Sequence, residues 1–291
     1  MAGSLEVLTA AARLNGLDVT GSELIRDGSH AMYRLDDKII ARVGKPGSQS
    51  SAEREVRVSR WLTEQKYPVT QLSPGMLQPT VIKGQAVTWW RSIPQHRPAT
   101  PAELGGLLRM LHSLPAPESL SLPSLNLFCK LAERIKNAVG INRKERDWLV
   151  GHYHELLERY HETRFYSGIR IIHGDAWQGN VAVPQDGSPI LLDLEDVSRG
   201  HPEWDLISIA VDHVDFARID AEEYQSFVGA YGGFDVTGSP GYGVLAAIQE
   251  LRWVCFTLSK ADNNPAALRE TRHRISCLRG ELTRPWKWTA F

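Results

Sequence analysis

The sequence predicts an α+β protein of two lobes: a small β-rich lobe over residues 1–93 and a larger, mainly helical lobe over residues 94–291. Three observations carry this reading. Short β-branched runs separated by turn residues crowd positions 22–91. Beyond Pro94, apolar residues recur at helical spacing almost to the C-terminus. The exception is one stretch, Ile171–Leu206, where short apolar strands carry polar groups at their ends.

In the first lobe, residues 1–14 have a modest helical stripe of Leu5, Leu8, Ala12 and Leu14. Ser22–Arg26, Ala31–Leu35 and Lys38–Val43 read as strands, with Asp36-Asp37 turning the second hairpin. Between the first two lies Asp27-Gly28-Ser29-His30, a small polar loop whose backbone N–H groups could fold over phosphates. Ser51–Gln65 is the lobe's principal helix, its inner stripe formed by Val58, Trp61 and Leu62. Glu55 falls at the edge of that stripe and needs a cationic partner, because an unpaired buried charge is costly; Glu53 faces out. Met76–Ile82 and Gln85–Arg91 form a further hairpin around Lys83-Gly84. Trp89 and Trp90 alternate across that last strand, so one ring packs inside and the other is left for core or cleft.

The second lobe opens at Thr100-Pro101-Ala102-Glu103, a helix start with an N-cap, Pro at N1 and Glu at N3. Gly105-Gly106 within this helix implies close packing, since each Gly costs about 1 kcal/mol against Ala. Glu145–Arg164 is the longest predicted helix, and Leu206–Val214, Ala221–Tyr231, Tyr242–Ser259 and Pro265–Thr283 follow. Asp212, Asp215, Asp220, Glu222, Glu223 and Glu250 are scattered over that helical part.

The exceptional stretch carries the chemistry. A short strand, Ile169–Ile172, runs into His173-Gly174-Asp175, and Asn180 follows five residues later. Val181–Val183 and Ile190–Leu194 then form a hairpin around Asp186-Gly187, with Asp193 near its end. Asp175, Asn180 and Asp193 therefore sit on one loop and the hairpin after it, where their oxygens can converge. Mg²⁺ prefers such hard oxygen ligands and commonly takes one or two carboxylates together with substrate phosphates. A neighbouring carboxylate can orient a hydroxyl and accept its proton, as phosphoryl transfer requires.

The motif HGD-x4-N with a following apolar-flanked Asp resembles the catalytic and metal loops of the kinase-like fold. Its tail, Gly200-His201-Pro202-Glu203-Trp204-Asp205-Leu206, is similar to the G-x-P-x-x-D-L segment of the aminoglycoside phosphotransferase family, which includes choline-kinase-like members. His173-Gly174 in place of His-Arg, Asp193-Leu194-Glu195 in place of Asp-Phe-Gly, and the missing Ala-Pro-Glu separate it from protein kinases. The resemblance implies ATP and Mg²⁺ bound between the lobes. It gives Asp175 the role of catalytic base, Asn180 and Asp193 that of metal ligands, and Gly28 and Ser29 a place over the phosphates. Where protein kinases place a phosphate-holding Lys, this chain has Arg42, chosen over Lys38 and Lys45 at the strand ends; its partner would be Glu55. The matching His173 is architectural, and Asp205 buttresses the loop. The implied acceptor is a hydroxylated small molecule, an aminoglycoside or related amino- or sugar-type metabolite, met by the helical lobe. Two rival readings are a nucleotide-binding pseudokinase, prompted by Arg42 and the glycine-poor loop, and a metal-dependent hydrolase using His173, Asp175 and Asp193.

Composition narrows the field further. The 291 residues carry a net charge of −1, which gives no electrostatic case for nucleic acid or an anionic membrane. No apolar run approaches the roughly 18 residues of a membrane span, and no basic-then-apolar leader opens the chain. Three widely spaced cysteines, Cys129, Cys255 and Cys277, fit reduced thiols and a cytoplasmic location. Nothing in the sequence fixes the oligomeric state.

Overall fold

The computed structural model describes residues 3–115 and 117–291. Its first layer is a five-stranded antiparallel sheet in the order β1-β2-β3-β5-β4, from β1 (Glu23–Asp27), β2 (Ala31–Arg34), β3 (Ile39–Val43), β4 (Thr80–Ile82) and β5 (Gln85–Arg91). The β2–β3 turn closes as predicted, with Asp36 Oδ1 accepting from the backbone N–H of Lys38 at 2.8 Å and Ile39 at 2.7 Å. Lys83 and Gly84 both take positive φ in the β4–β5 turn, the geometry that right-twisted hairpins favour.

Strand alternation sorts β3 onto two faces. Ala41 and Val43 point into a core with Val87, Trp89 and the buried face of α1 (Ser4–Leu14), made of Val7, Leu8, Ala11 and Ala12. Arg42 leaves on the other face, toward α2 (Gln49–Glu64). The sheet is thus flanked by the two helices read from the sequence over residues 1–14 and 51–65. The inner stripe of α2, Val58, Trp61 and Leu62, does not join that core. It belongs to the larger core of the second lobe, and Tyr67 just beyond it donates to the Leu107 carbonyl at 2.9 Å.

The second lobe contains α3 (Pro101–Ser113), α4 (Leu131–Asn137), α5 (Arg143–Glu162), α6 (Glu203–Val214), α7 (Ala221–Tyr231), α8 (Tyr242–Leu258) and α9 (Pro265–Leu278). Capping boxes start α3 at Thr100, α5 at Asn142 and α7 at Asp220, each worth about 1 kcal/mol. Gly105 lets α3 meet α7, because a Cβ there would sit 2.7 Å from the Phe227 carbonyl oxygen; Gly106 has open space and no such reason.

Between the layers lie two small sheets. β6 (His96–Pro98), β8 (Val181–Pro184) and β9 (Ile190–Leu191) form one, and β7 (Arg170–Ile172) pairs with β10 (Ser198–Gly200) in the other. β6 and β10 were not predicted. Three residues are too few to show alternation, and Pro98 and Gly200 argue locally against strand. The strand expected over Met76–Ile82 shortens to Thr80–Ile82, since Pro79 has no N–H to give a ladder. Both Trp89 and Trp90 are core. The C-terminal segment folds back: Trp286 and Trp288 stack on each other and pack edge-on against Phe216.

Candidate active site

The site is built upward from β7. Its last residues lead into His173-Gly174, whose backbone N–H groups donate to Asp205 Oδ2 at 2.6 Å and Oδ1 at 2.8 Å. Asp205 lies in the first turn of α6, where the helix dipole also favours a carboxylate. His112 of α3 supplies a third donor, its Nε2 lying 3.0 Å from Asp205 Oδ2, while the Tyr231 hydroxyl meets His112 Nδ1 at 2.9 Å. Burial alone would raise the Asp205 carboxyl; the His112 bond, the two nearby imidazoles and the His173 amide outweigh it and hold it below its ordinary value. Trp204 adds an indole N–H to the Gly174 carbonyl at 2.9 Å. Gly174 sits at φ +85°, and a Cβ there would strike the Asp196 carbonyl oxygen, so the loop admits only glycine.

His173 is fully buried, with Nε2 on the Leu192 carbonyl at 2.8 Å and Nδ1 accepting from the Asp175 amide at 3.3 Å. Both ring nitrogens are thereby used. No capacity remains for a metal or for base catalysis, which removes the hydrolase reading that needed His173.

Asp175 projects from this anchored loop. Asn180 Nδ2 donates to its backbone carbonyl at 2.9 Å and to its Oδ2 at 3.2 Å. The Asp175 side chain opens to the cleft, yet surrounding protein displaces water and pushes its carboxyl up; His173 opposes this and Asp196 and Asp193 add to it. The Asn180 carbonyl accepts from the Leu192 amide at 2.9 Å, which ties the loop to the residue before Asp193. Asp193 itself adopts φ +51°, a left-handed conformation uncommon outside glycine. Non-glycine backbone of this kind concentrates at functional positions.

The opposite wall comes from β3 and α2. Arg42 Nη1 donates to Glu55 Oε1 at 2.6 Å, and its Nη2 reaches Glu195 Oε2 at 2.9 Å, His30 Nδ1 at 3.1 Å and Asp193 Oδ1 at 3.4 Å. Arg54 of α2 adds a bond to the Glu195 carbonyl at 3.1 Å. Burial pushes the Glu55 carboxyl up to about 7, with Arg42 opposing and Asp193 and Glu195 reinforcing the push. His30 is held down at about 4, by burial first and then by Arg42, and so accepts as a neutral ring. One guanidinium faces three carboxylates, so negative charge is in excess around Arg42, a setting that favours a cation. Among the described residues no cluster of three His, Cys, Asp or Glu side chains forms a metal cage. A cation here would take Asn180 and Asp193 together with substrate oxygens, the pattern Mg²⁺ favours.

Gly28 and Ser29 occupy the bend between β1 and β2, beside His30 and hence beside Arg42. A Cβ on Gly28 would meet only Arg26 Nε at 3.6 Å, an ordinary contact, so the bend does not demand glycine. The residues that sequence reasoning missed as partners are His30, Arg54, His112 and Glu195. Of these only Glu195 carried a signal, as an unassigned acid two residues after Asp193. The acids scattered over the helical lobe, which could suit a cationic acceptor or simply form a solvated face, are mostly engaged internally. Asp212 pairs with Arg218 at 2.8 Å, Glu250 with Arg284 at 3.0 Å, Asp215 also with Arg284, and Asp220 and Glu223 cap α7.

A family model described as "Phosphotransferase enzyme family" matches residues 21–248. The chain belongs to this phosphotransferase family. Among solved structures, amicoumacin kinase hAmiN in complex with AMP-PNP, Ca²⁺ and Ami superposes with a TM-score of 0.75 at 14% identity, covering 96% of this chain and 94% of that one. The GDP complex of wild-type aminoglycoside 2'-phosphotransferase-IIIa gives 0.64 at 14% identity over 96% and 99%. Choline kinase LicA from Streptococcus pneumoniae gives 0.67 at 14% identity over 96% and 100%. At these identities the likeness establishes the kinase-like fold. A probable ketoamine kinase of Lactiplantibacillus plantarum (strain ATCC BAA-793 / NCIMB 8826 / WCFS1) is 32% identical over 82 residues, a match spanning 28% of either protein. No helix among the described residues of this phosphotransferase is long and apolar enough to cross a membrane.

Proposed function

We propose that this phosphotransferase is a small-molecule kinase that transfers the γ-phosphoryl group of ATP to a hydroxyl of an aminoglycoside or a related amino- or sugar-type metabolite. The observation that carries the reading is the anchored Asp175–Asn180 pair facing the Arg42–Glu55 bridge across a cleft rich in negative charge. Residues 1–93 form the nucleotide-binding lobe and residues 94–291 the acceptor lobe. The Gly28-Ser29 bend covers the phosphates, and Arg42, oriented by Glu55, holds them as a planar fork donor. Asn180 and Asp193 hold Mg²⁺, which when bound shields the phosphate oxygens and the charge that develops on them. Asp175 orients the acceptor hydroxyl and takes its proton as the oxygen bonds to the γ-phosphorus; the bond to the bridging oxygen breaks and ADP leaves. Such a base contributes about 10²–10⁴-fold. A kinase that handles cytoplasmic metabolites also suits the three unpaired thiols.

The test is ADP release by the purified chain with Mg·ATP and a panel of aminoglycosides, ketoamines and hydroxylated amines, the product being located by NMR. Acceptor-stimulated ADP release with a phosphate ester on the acceptor supports the reading. Nucleotide binding without any acceptor-dependent turnover supports the pseudokinase instead.

A further inference from the structure

Residues 27–31 turn the chain from β1 to β2 at the free edge of the first sheet. The turn closes on itself: Asp27 pairs with Ala31, and the Gly28 N–H donates to the His30 carbonyl at 3.1 Å. That amide is therefore spent within the turn. The five side chains of β1 are all exposed, and among the described residues the strand pairs only with β2. Backbone alone does not aim this turn at the cleft. A side chain does. His30 directly precedes β2 and shares the parity of Met32, which lies opposite Arg42 in the β2–β3 ladder. His30 and Arg42 are thus diagonal neighbours, a separation that long side chains bridge, and Arg42 Nη2 stands 3.1 Å from His30 Nδ1.

The hydrogen count at Arg42 gives this contact its meaning. A guanidinium only donates, so Nδ1 accepts and the neutral ring carries its proton on Nε2. Nη2 has two hydrogens for three acceptors: Glu195 Oε2 at 2.9 Å, His30 Nδ1 at 3.1 Å and Asp193 Oδ1 at 3.4 Å. The two shorter contacts take the hydrogens, and Asp193 is left with the weakest. Beside the three carboxylates around this guanidinium, His30 is the neutral partner. It draws Nη2 away from Asp193 without adding a charge that would repel phosphate.

We propose that His30 is a positioning residue for the nucleotide: it ties the β1–β2 bend to Arg42 and keeps Asp193 free of that guanidinium. This rests on the kinase reading. The glycine-poor loop, which prompted the pseudokinase reading, is then held by a side chain instead of by its backbone.

Calorimetric titration with AMP-PNP and Mg²⁺ compares the native chain with His30→Ala, His30→Asn and His30→Gln, and thermal unfolding is followed beside it. His30→Ala should weaken binding about fivefold or more, the scale of one hydrogen bond to a charged group. The Asn amide oxygen falls where Nδ1 stood, so His30→Asn should bind within about twofold of native. The Gln amide reaches toward the Nε2 position, so His30→Gln should stay near His30→Ala. In an Arg42→Ala background the loss on His30→Ala should vanish, because effects that act through one partner are not additive. If that background does not fold, the contrast of Asn with Gln decides alone. Native affinity in His30→Ala, rescue by Gln but not by Asn, or an undiminished loss in the Arg42→Ala background overturns the inference while leaving the kinase reading standing. If the native chain binds no AMP-PNP with Mg²⁺, both fail together.

Discussion

In the catalytic loop, one buried carboxylate, Asp205, meets two backbone amides and an imidazole, and each of those donors is matched. Across the cleft, one guanidinium, Arg42, is shared by three carboxylates and a neutral imidazole. The first arrangement is complete without any ligand. The second carries surplus negative charge, and its Asp193 and Glu195 side chains are 45% and 37% exposed. The difference teaches where each side of the cleft obtains its order. The floor is fixed by folding, and preorganised groups of this kind need no rearrangement during reaction. Under the proposed function, Mg·ATP would redistribute the wall by drawing Asp193 toward the metal and Arg42 toward phosphate.

The contrast is broken most severely at Asp175, the base proposed above. Asp175→Asn should lower the transfer rate by about 10²-fold or more while Mg·nucleotide affinity stays nearly unchanged; a variant with near-native turnover would remove Asp175 as the base. A smaller effect is expected at the wall. Arg42→Ala should raise the KM for ATP by about tenfold, the scale of one charge-assisted contact, and an unaltered value would shift the role to Lys38 or Lys45. The removal would also leave Glu55 buried without its cation, a loss that for buried pairs costs about 3–5 kcal/mol of stability, so thermal unfolding should be followed in parallel.

The smallest effect is one of pH, and it has opposite sign in the two regions. Asp205, held below its ordinary 3.8, binds a proton less readily in the fold than in the unfolded chain. Its contribution is present above that value and is lost as pH falls through the lower folded one. Glu55, at about 7 in the fold against an ordinary 4.5, behaves in reverse. The stability it confers is present below 4.5 and is lost as pH rises through about 7. Glu55→Gln should therefore flatten the decline of Tm over that upper window and leave the acid limb as it was. A Tm profile identical to the native one would contradict the surplus-charge description of the wall.

Much of this site was legible because it is local. Asp175, Asn180 and Asp193 fall on one loop and one hairpin, so spacing alone brings them together. Arg42 and Glu55 are farther apart; the stripe of α2 put Glu55 at a buried edge in need of a cation, and the resemblance to the kinase-like fold pointed to Arg42. What was not legible depends on long separations: His112 and Asp205 are 93 residues apart, and His112 and Tyr231 are 119 apart. No periodicity announces such a pairing. The pairing of Asp215 and Glu250 with Arg284 was hidden for the same reason, since that arginine comes from the far C-terminal segment. The strands β6 and β10 are stabilised by partners distant in sequence, β8 and β7, and not by their own propensity.

The most direct test concerns the gathering of Asn180 and Asp193 around a divalent cation. Calorimetric titration with AMP-PNP, with and without Mg²⁺, measures it on the native chain and on Asp193→Ala. The native protein should bind the nucleotide at least about tenfold more tightly with Mg²⁺, and Asp193→Ala should abolish that difference while leaving the metal-free affinity in place. Equal affinity with and without Mg²⁺ in the native protein, or an undiminished Mg²⁺ effect in Asp193→Ala, would contradict the account.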